Sequence, residues 1–482
     1  MMLKSEQLSI QVPSIVPNRQ KLSVRTKREL FIFLLVAFAH IPLGILLYSS
    51  PSIAIIHPIA VFLIGIYWAV QTRFGLNRVA LAAGYIVGAE VLWRMSNVPI
   101  YWEFGKFGIV IIMVIALVVR RQVKVPPLPL FYGLLLIPSC IITLMVFDIG
   151  EARRLISADM SGPLALFVSC WFFAKTQLNV AQLQRLFFFI LIPLVSVAFA
   201  TLFYTVTFED IQFTTESNFA TSGGFGPNQV SSMLGLGVFI AASFLILFKN
   251  GRILKVGVGV LALFFAAQSV MTFSRGGIFN ATGALAILII FHFRDLADGL
   301  KRVVPLVILV AVFFWFIFPA LNNFTGGKLE ERFSETSTTN RTEIIWSDLE
   351  IFLENPVFGV GVSVSRSYRK HFLTFSATSH TEFARLISEH GSLGVAALIV
   401  LIAMAVINLR KDRSLLQRAL VAGLSSWCIL YMLNAGMRLA APSFLWGLTF
   451  VTIVRIYLPN KRLVRQPPSY PFRSAHESRR TA

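Results

Sequence analysis

An arginine set against the edge of an apolar run is the sharpest chemical signal in the chain. Arg275 lies in QSVMTFSRGGIFNA, where one apolar stretch ends and the next begins. A charge at mid-membrane costs roughly 2.5–3.5 kcal/mol, and less near the interface. It therefore calls for a partner. Ser274 adds a hydroxyl, and Gly276 and Gly277 remove side chains beside the guanidinium. Backbone N–H groups, the guanidinium and the start of the following helix can then converge on one anion. The plainer alternative is an interfacial arginine snorkelling to lipid headgroups.

Three further groups of residues carry candidate chemistry. In SGGFGPNQVSS, the glycines permit unusual backbone angles and Pro227 can open a helix, which leaves the amides of Asn228 and Gln229 at its mouth. Such amides suit sugar hydroxyls or phosphate oxygens; the alternative is an ordinary loop-to-helix turn. Arg341 opens a helical piece, and Arg366, Arg369 and Lys370 follow it. Arginine forks grip phosphates. Arg341 and Arg366 are read as binding residues, Arg369 and Lys370 as solvated surface charges. His380, in SATSHTEFARLISEH, is the acid–base candidate, since histidine titrates near neutral pH. Glu382, two residues on, does not share its helical face and is no obvious orienter. His371 ranks second. His390 reads as a polar residue at a helix end, and His40 and His57 as structural. Arg438, in LNAGMRLAAP, either closes the site or anchors the interface.

These residues must be positioned by a membrane protein. Of 482 residues 56% are hydrophobic and 14% charged, and Phe alone numbers 44. A soluble chain carries about 25% charged residues. The net charge of +20 does not imply nucleic acid, because cytoplasmic membrane loops are enriched in Lys and Arg. No nucleic-acid partner is expected. Cys140, Cys170 and Cys428 all sit in apolar stretches and suggest neither disulfides nor a metal cluster. No metal or other cofactor is expected, and the chain holds no D-x-D pair. About thirty polar and basic residues precede the first apolar run, which reads as a retained transmembrane helix.

The fold class expected is all-α, a polytopic bundle of twelve to fourteen spans. Fourteen runs approach the length a span needs: 31–48, 53–70, 79–93, 104–119, 128–147, 161–174, 186–206, 229–248, 256–273, 277–292, 303–320, 392–409, 418–434 and 439–457. The runs 79–93 and 161–174 are the shortest of them. With the N-terminus in the cytoplasm, alternation makes every inner loop basic. Both termini are then cytoplasmic. The organisation expected is a basic tail (1–30), a bundle of eleven spans (31–320), one large periplasmic loop with amphipathic helices and the catalytic residues (321–391), three more spans (392–457) and a second cytoplasmic tail (458–482). In the loop, TNRTEIIWSDLEIFLENP reads as a helix ended by Pro356, and GVG at 359–361 as a tight turn.

In their order and spacing these motifs resemble the O-antigen ligase and Wzy-type polysaccharide polymerase superfamily. The resemblance spans about residues 218–405. It rests on SRGG at 274–277, the GPNQ segment, Arg341 with Trp346, ENPVFGVG at 354–361 and SHTEFARLISEHGSLG at 379–394. It implies a fold similar to the GT-C glycosyltransferases and an enzyme of the bacterial inner membrane. The implied donor is an undecaprenyl-diphosphate-linked glycan. The implied acceptor is another lipid-linked repeat unit, the lipid A core, or a protein. Polysaccharide export or chain-length proteins are possible partners. The family's arginine after the serine matches Arg275, its loop arginine Arg341, and its histidine His380. Thr381 stands where many members carry Asn, and the family's late acidic residue has no clear counterpart. A polymerase is the first reading. A ligase or protein O-oligosaccharyltransferase is the second. A transporter, for which Glu90 is the main mid-span candidate, is the distant third.

Overall fold

The computed structural model describes residues 24–208, 211–248, 251–293, 296–335, 341–373, 379, 381–411 and 413–454. The two tails and His380 lie outside the described residues.

The chain is helical along most of its described length, and the apolar runs read from the sequence fall on helices except for the last, 439–457. In order the helices are α1 (Val24–Ser49), α2 (Pro51–Val70), α3 (Leu76–Met95), α4 (Phe104–Val119), α5 (Pro127–Val146), α6 (Ile149–Ala174), α7 (Val180–Thr207), α8 (Pro227–Leu247), α9 (Arg252–Met271) and α10 (Gly276–His292). There follow α11 (Leu296–Val312, continued through a π-helical turn to Phe324), α12 (Lys328–Ser334), α13 (Arg341–Glu354), α14 (Ser365–Tyr368), α15 (Glu382–Arg410), α16 (Leu415–Asn434) and α17 (Ala440–Leu448). Among the described residues, 10 helices are long and apolar enough to cross a membrane: α1, α2, α5 to α9, α11, α15 and α16. The protein is a multi-pass, all-α membrane protein.

The remaining four runs depart from that standard for separate reasons. Helices α4 and α10 are apolar but have only 16 and 17 residues. Helix α3 is long enough but carries Arg78, Glu90 and Arg94; it is buried along nearly all of its length, so its neighbours rather than lipid are its solvent. The run 439–457 is not one helix. Nine residues of α17 reach about 14 Å, well short of the hydrocarbon layer. A tight turn follows, and Thr452–Val454 (β2) pairs in parallel with Gln177–Asn179 (β1), just after α6. Arg413 and Gln417 of the α16 region donate to the carbonyls of Thr449 (2.9 Å) and Val451 (2.8 Å). Non-helical backbone at this depth is tolerable because protein satisfies it. The run 161–174 also changes: it extends back to Ile149, with Asp148 as the N-cap accepting from the backbone N–H groups of Gly150 and Glu151 at 2.9 and 3.1 Å.

Within the large loop, α13 ends at Glu354 before Pro356 and α15 runs straight into the next span. The loop's docking depends on two glycines. Gly391 breaks α15 with φ 60° and ψ −140°, and this opens the carbonyls of Ser388 and Glu389. The N–H groups of Val360 (3.1 Å) and Gly361 (3.0 Å) fill them, and Ser392 N–H returns a bond to Pro356 (2.7 Å). The two backbones touch: a Cβ on Gly359 would lie 2.4 Å from the Glu389 carbonyl carbon, and one on Gly391 would lie 2.5 Å from Gly359 N. ENPVFGVG and SEHGSLG are therefore two halves of one joint. His390, read as a polar residue at a helix end, is instead fully buried beside it.

A buried ion pair holds the loop's far side. Arg369 is only 2% exposed and Asp348 is fully buried. Arg369 Nε and Nη2 reach Asp348 Oδ1 at 2.8 and 2.6 Å. Burial raises the Asp348 carboxyl above its ordinary range, and the guanidinium pulls it back down. The surface reading of Arg369 is thus corrected.

Two outcomes follow from these contacts. Gly391→Ala forces an L residue into a glycine-only region at a cost of about 1–3 kcal/mol, before its steric clash is added. Arg369→Ala strands a buried carboxylate and costs about 3–5 kcal/mol. Limited proteolysis should show faster cutting within 325–381 in both variants, and Asp348→Leu combined with Arg369→Met should recover much of the protection. Unchanged cutting rates in both single variants would remove the docking role assigned here.

Candidate functional site at the mouth of the bundle

The turn between α9 and α10 is strained where chemistry was expected. Phe273 is fully buried and sits at φ 58°, unusual for a bulky residue. That angle turns the chain so that Ser274 and Arg275 stand at the head of α10, with Arg275 as its N-cap residue. Ser231 of α8 holds the turn by donating from Oγ to the Ser274 carbonyl at 2.9 Å. The two glycines divide their work. A Cβ on Gly277 would meet the Ser231 carbonyl oxygen at 2.0 Å, and one on Gly235 would meet the Gly277 oxygen at 2.2 Å, so Gly277 is needed for α8 and α10 to touch. A Cβ on Gly276 would meet nothing closer than 3.7 Å. Packing does not require glycine there.

Asn228 and Gln229 stand in the first turn of α8, after Pro227. Ser274 Oγ donates to Asn228 Oδ1 at 2.6 Å, and Arg94 Nη1 donates to Gln229 Oε1 at 3.3 Å. Both amides spend their oxygens on the protein, which orients their NH2 donors for another acceptor.

Three guanidiniums gather beside this turn. Arg275 donates from Nη1 to the Glu335 backbone carbonyl. Arg332 of α12, 7% exposed, donates from Nε to the Phe273 carbonyl at 3.0 Å and meets the Glu335 carboxylate at 3.2 Å. Arg341, at the start of α13, completes the group. Its guanidinium is pulled below the ordinary range first by burial, then by the charges of Arg275 and Arg332. Arg275 is lowered likewise by burial and by Arg332, while Glu335 acts the other way. Like charges held this close lower one another's affinity for a proton and raise the group's affinity for an anion.

The turn between α16 and α17 forms the opposite wall. Arg94 donates to the Arg438 carbonyl (3.0 Å) and Lys106 to the Met437 carbonyl (3.3 Å). Met437 N–H donates to Glu382 (3.0 Å) and Ala440 N–H to Glu90 (2.7 Å). Behind them Arg94 pairs with Glu90 at 2.7 Å, and Lys106 with Glu103 at 2.5 Å. Burial raises the Glu103 carboxyl, and Lys106 and Arg94 hold it back. Glu90, the residue a transport path would have used, is thus tied to Arg94 and to the backbone. Arg438 then donates from Nη2 to the Ser379 carbonyl at 3.1 Å, which ties this turn to the segment leading into α15. Thr381, on the other side of His380, caps α15 by accepting from Ala384 N–H at 3.0 Å.

The structure thus joins Ser274, Asn228, Gln229, Arg275 and Arg341 through shared neighbours. Arg438 enters through Arg94, whose guanidinium bonds both Gln229 and the Arg438 backbone. Arg366 is exposed on α14 and is not brought into the cluster by any bond among the described residues. Sequence reasoning passed over Arg94 and Lys106, which lie in an apolar context, and two further residues. Arg332 lies in KLEERFS, whose alternating charges look like a solvated helix face. Glu382 was set aside as an orienter of histidine, yet it holds both Arg385 and the Met437 turn.

Residues 260–399 match the family model described as O-Antigen ligase. The match runs from within α9 into α15 and takes in Ser274, Arg275, Gly276, Arg332, Arg341, Arg366 and His380. Asn228, Gln229, Arg94 and Arg438 lie outside it. No curated protein matches the chain. Over this segment, which carries the arginine cluster, the chain is similar to the O-antigen ligase family.

Proposed function

We propose that the protein polymerises undecaprenyl-diphosphate-linked oligosaccharide repeat units into O-antigen or exopolysaccharide at the periplasmic face of the bacterial inner membrane. The observation that carries this reading is the group of three guanidiniums, Arg275, Arg332 and Arg341, gathered within the O-antigen ligase segment. A diphosphate leaving from an anomeric carbon gathers negative charge as the bond breaks, and preorganised cations stabilise that charge. Arg275 and Arg341 hold the diphosphate, and Arg332 fixes the turn beneath it. Asn228 and Gln229 offer amide donors to sugar or phosphate, and Arg438 closes the opposite wall. His380 orients the acceptor hydroxyl and takes its proton. One in-line attack inverts the anomeric centre, and the arginines supply the charge compensation that a metal supplies elsewhere.

The description of the matched family favours a second reading, in which the same donor is transferred once to the lipid A core. Purified protein given a lipid-linked repeat unit separates the two. A ladder of lengthening products supports polymerisation. No ladder, with a single transfer onto added lipid A core, supports the ligase.

Arg275→Ala should lower product formation about 100- to 1000-fold, the loss expected for one preorganised transition-state donor, in a protein that elutes and melts like the parent. Full activity from that variant would end the glycosyl-transfer reading. Gly276→Ala tests the approach of the substrate. Packing leaves room for its methyl group, so the variant should fold normally yet lose activity on the order of 100-fold by displacing the diphosphate. Gly277→Ala should instead melt earlier, because its methyl group strikes the α8 backbone. If Gly276→Ala is as active as the parent, no ligand approaches that backbone.

A further inference from the structure

A second anion site lies away from the arginine cluster. A cavity of about 620 Å³ opens between α2, α4 and the first turns of α6. Its apolar wall is Phe62 of α2 with Phe107 and Ile111 of α4. Its polar end is Tyr101, Ser157 and Arg153. The Tyr101 and Ser157 hydroxyls meet at 2.7 Å, joining the approach to α4 with α6. The neighbouring Arg154 is occupied by Glu151, at 2.6 and 3.0 Å. Arg153 is exposed and has no hydrogen bond or ion pair among the described residues. Close by in sequence, the apolar side chains of Met145 and Ile149 are 82% and 80% exposed. A long apolar wall ending in a free guanidinium and two hydroxyls fits a hydrocarbon chain that ends in phosphate.

Tyr101 and Phe104 stand between this cavity and a much smaller one, of about 30 Å³, lined by Arg94 and Trp102. Arg94 stacks on Trp102 at 4.9 Å and bonds Gln229 at the mouth. The groove thus lies beside the polar centre, where a lipid-linked substrate must place its headgroup.

We infer that this groove holds the lipid anchor of the acceptor, a polyprenyl chain bearing phosphate, while the Arg275 cluster holds the donor. The inference rests on the polymerase reading, in which both substrates are lipid-linked and two phosphate sites are needed at once. The polyprenyl chain lies along Phe62, Phe107 and Ile111, and its phosphate meets Arg153 beside the Tyr101 and Ser157 hydroxyls.

Native mass spectrometry of the full chain with decaprenyl phosphate tests this. The parent should retain two molecules. Arg153→Gln, a surface change, should retain one, with affinity for the second reduced about tenfold or more. Arg275→Ala should also retain one, and the double variant none. Two molecules retained by Arg153→Gln would overturn the groove assignment. So would equal competition by phosphatidylglycerol for the second position, which would make the groove a site for bulk anionic lipid. If Arg153→Gln loses one molecule while Arg275→Ala loses neither binding nor product, the groove stands and the reading of the arginine cluster falls. In turnover, Arg153→Gln should raise the KM for acceptor and leave kcat nearly unchanged.

Discussion

Four ionisable side chains from three helices converge on the turn between α16 and α17. Glu90 and Arg94 of α3, Lys106 of α4 and Glu382 of α15 each bond its backbone, with carboxylates taking N–H groups and cations taking carbonyls. Exposed peptide groups in hydrocarbon cost several kcal/mol each. The turn can lie at this level only because charged partners meet it, and those charges can be buried only because they also meet one another. The arrangement is mutual, and the rest of the mouth is built on it. Arg94 reaches from this network to Gln229, and the same turn presents Arg438 to Ser379.

The large loop is joined to the same frame by a different device. The kink at Gly391 exposes two carbonyls inside a helix, and the GVG segment supplies the missing donors. Just before the kink, Arg385 bonds Glu382 and Glu389, and Ser365 bonds Glu389 and Arg369. One chain of polar contacts therefore runs from the α16–α17 turn through α15 to the Arg369–Asp348 pair. Moving the loop means breaking a series of buried charge contacts, so the loop's position and the position of the turn are coupled.

Much of this was legible in the sequence, and what was not has identifiable causes. Spans were readable because lipid demands long apolar runs. The last was misjudged because α17 and β2 are enclosed by protein, where hydropathy no longer reports on helix length. The start of α6 was hidden because GEARRLISAD is polar and hydropathy cannot see it, although Asp148 is a recognisable cap. The turn motifs were placed correctly, but not the fact that ENPVFGVG and SEHGSLG pack on each other, since a close approach of two glycines is a tertiary fact. Arg369 was misread as a surface charge beside Arg366 for a similar reason. They lie three residues apart, and only the position of Asp348 decides which one is buried.

Charge balance separates the parts of this mouth that hold the fold from the part available to a ligand. Behind the α16–α17 turn, Glu90 and Glu103 stand against Arg94 and Lys106, two carboxylates for two cations. Along α15, Glu382, Glu389 and Asp348 stand against Arg385 and Arg369. Neither network carries a surplus of positive charge. Around Ser274 the arrangement differs: Arg275, Arg332 and Arg341 lie near enough to act on one another, and Glu335 offsets part of their charge. A fold selected only for stability gains nothing from gathering three guanidiniums that lower one another's protonation and that burial already disfavours. Such a group is stabilised when an anion arrives to share its charge.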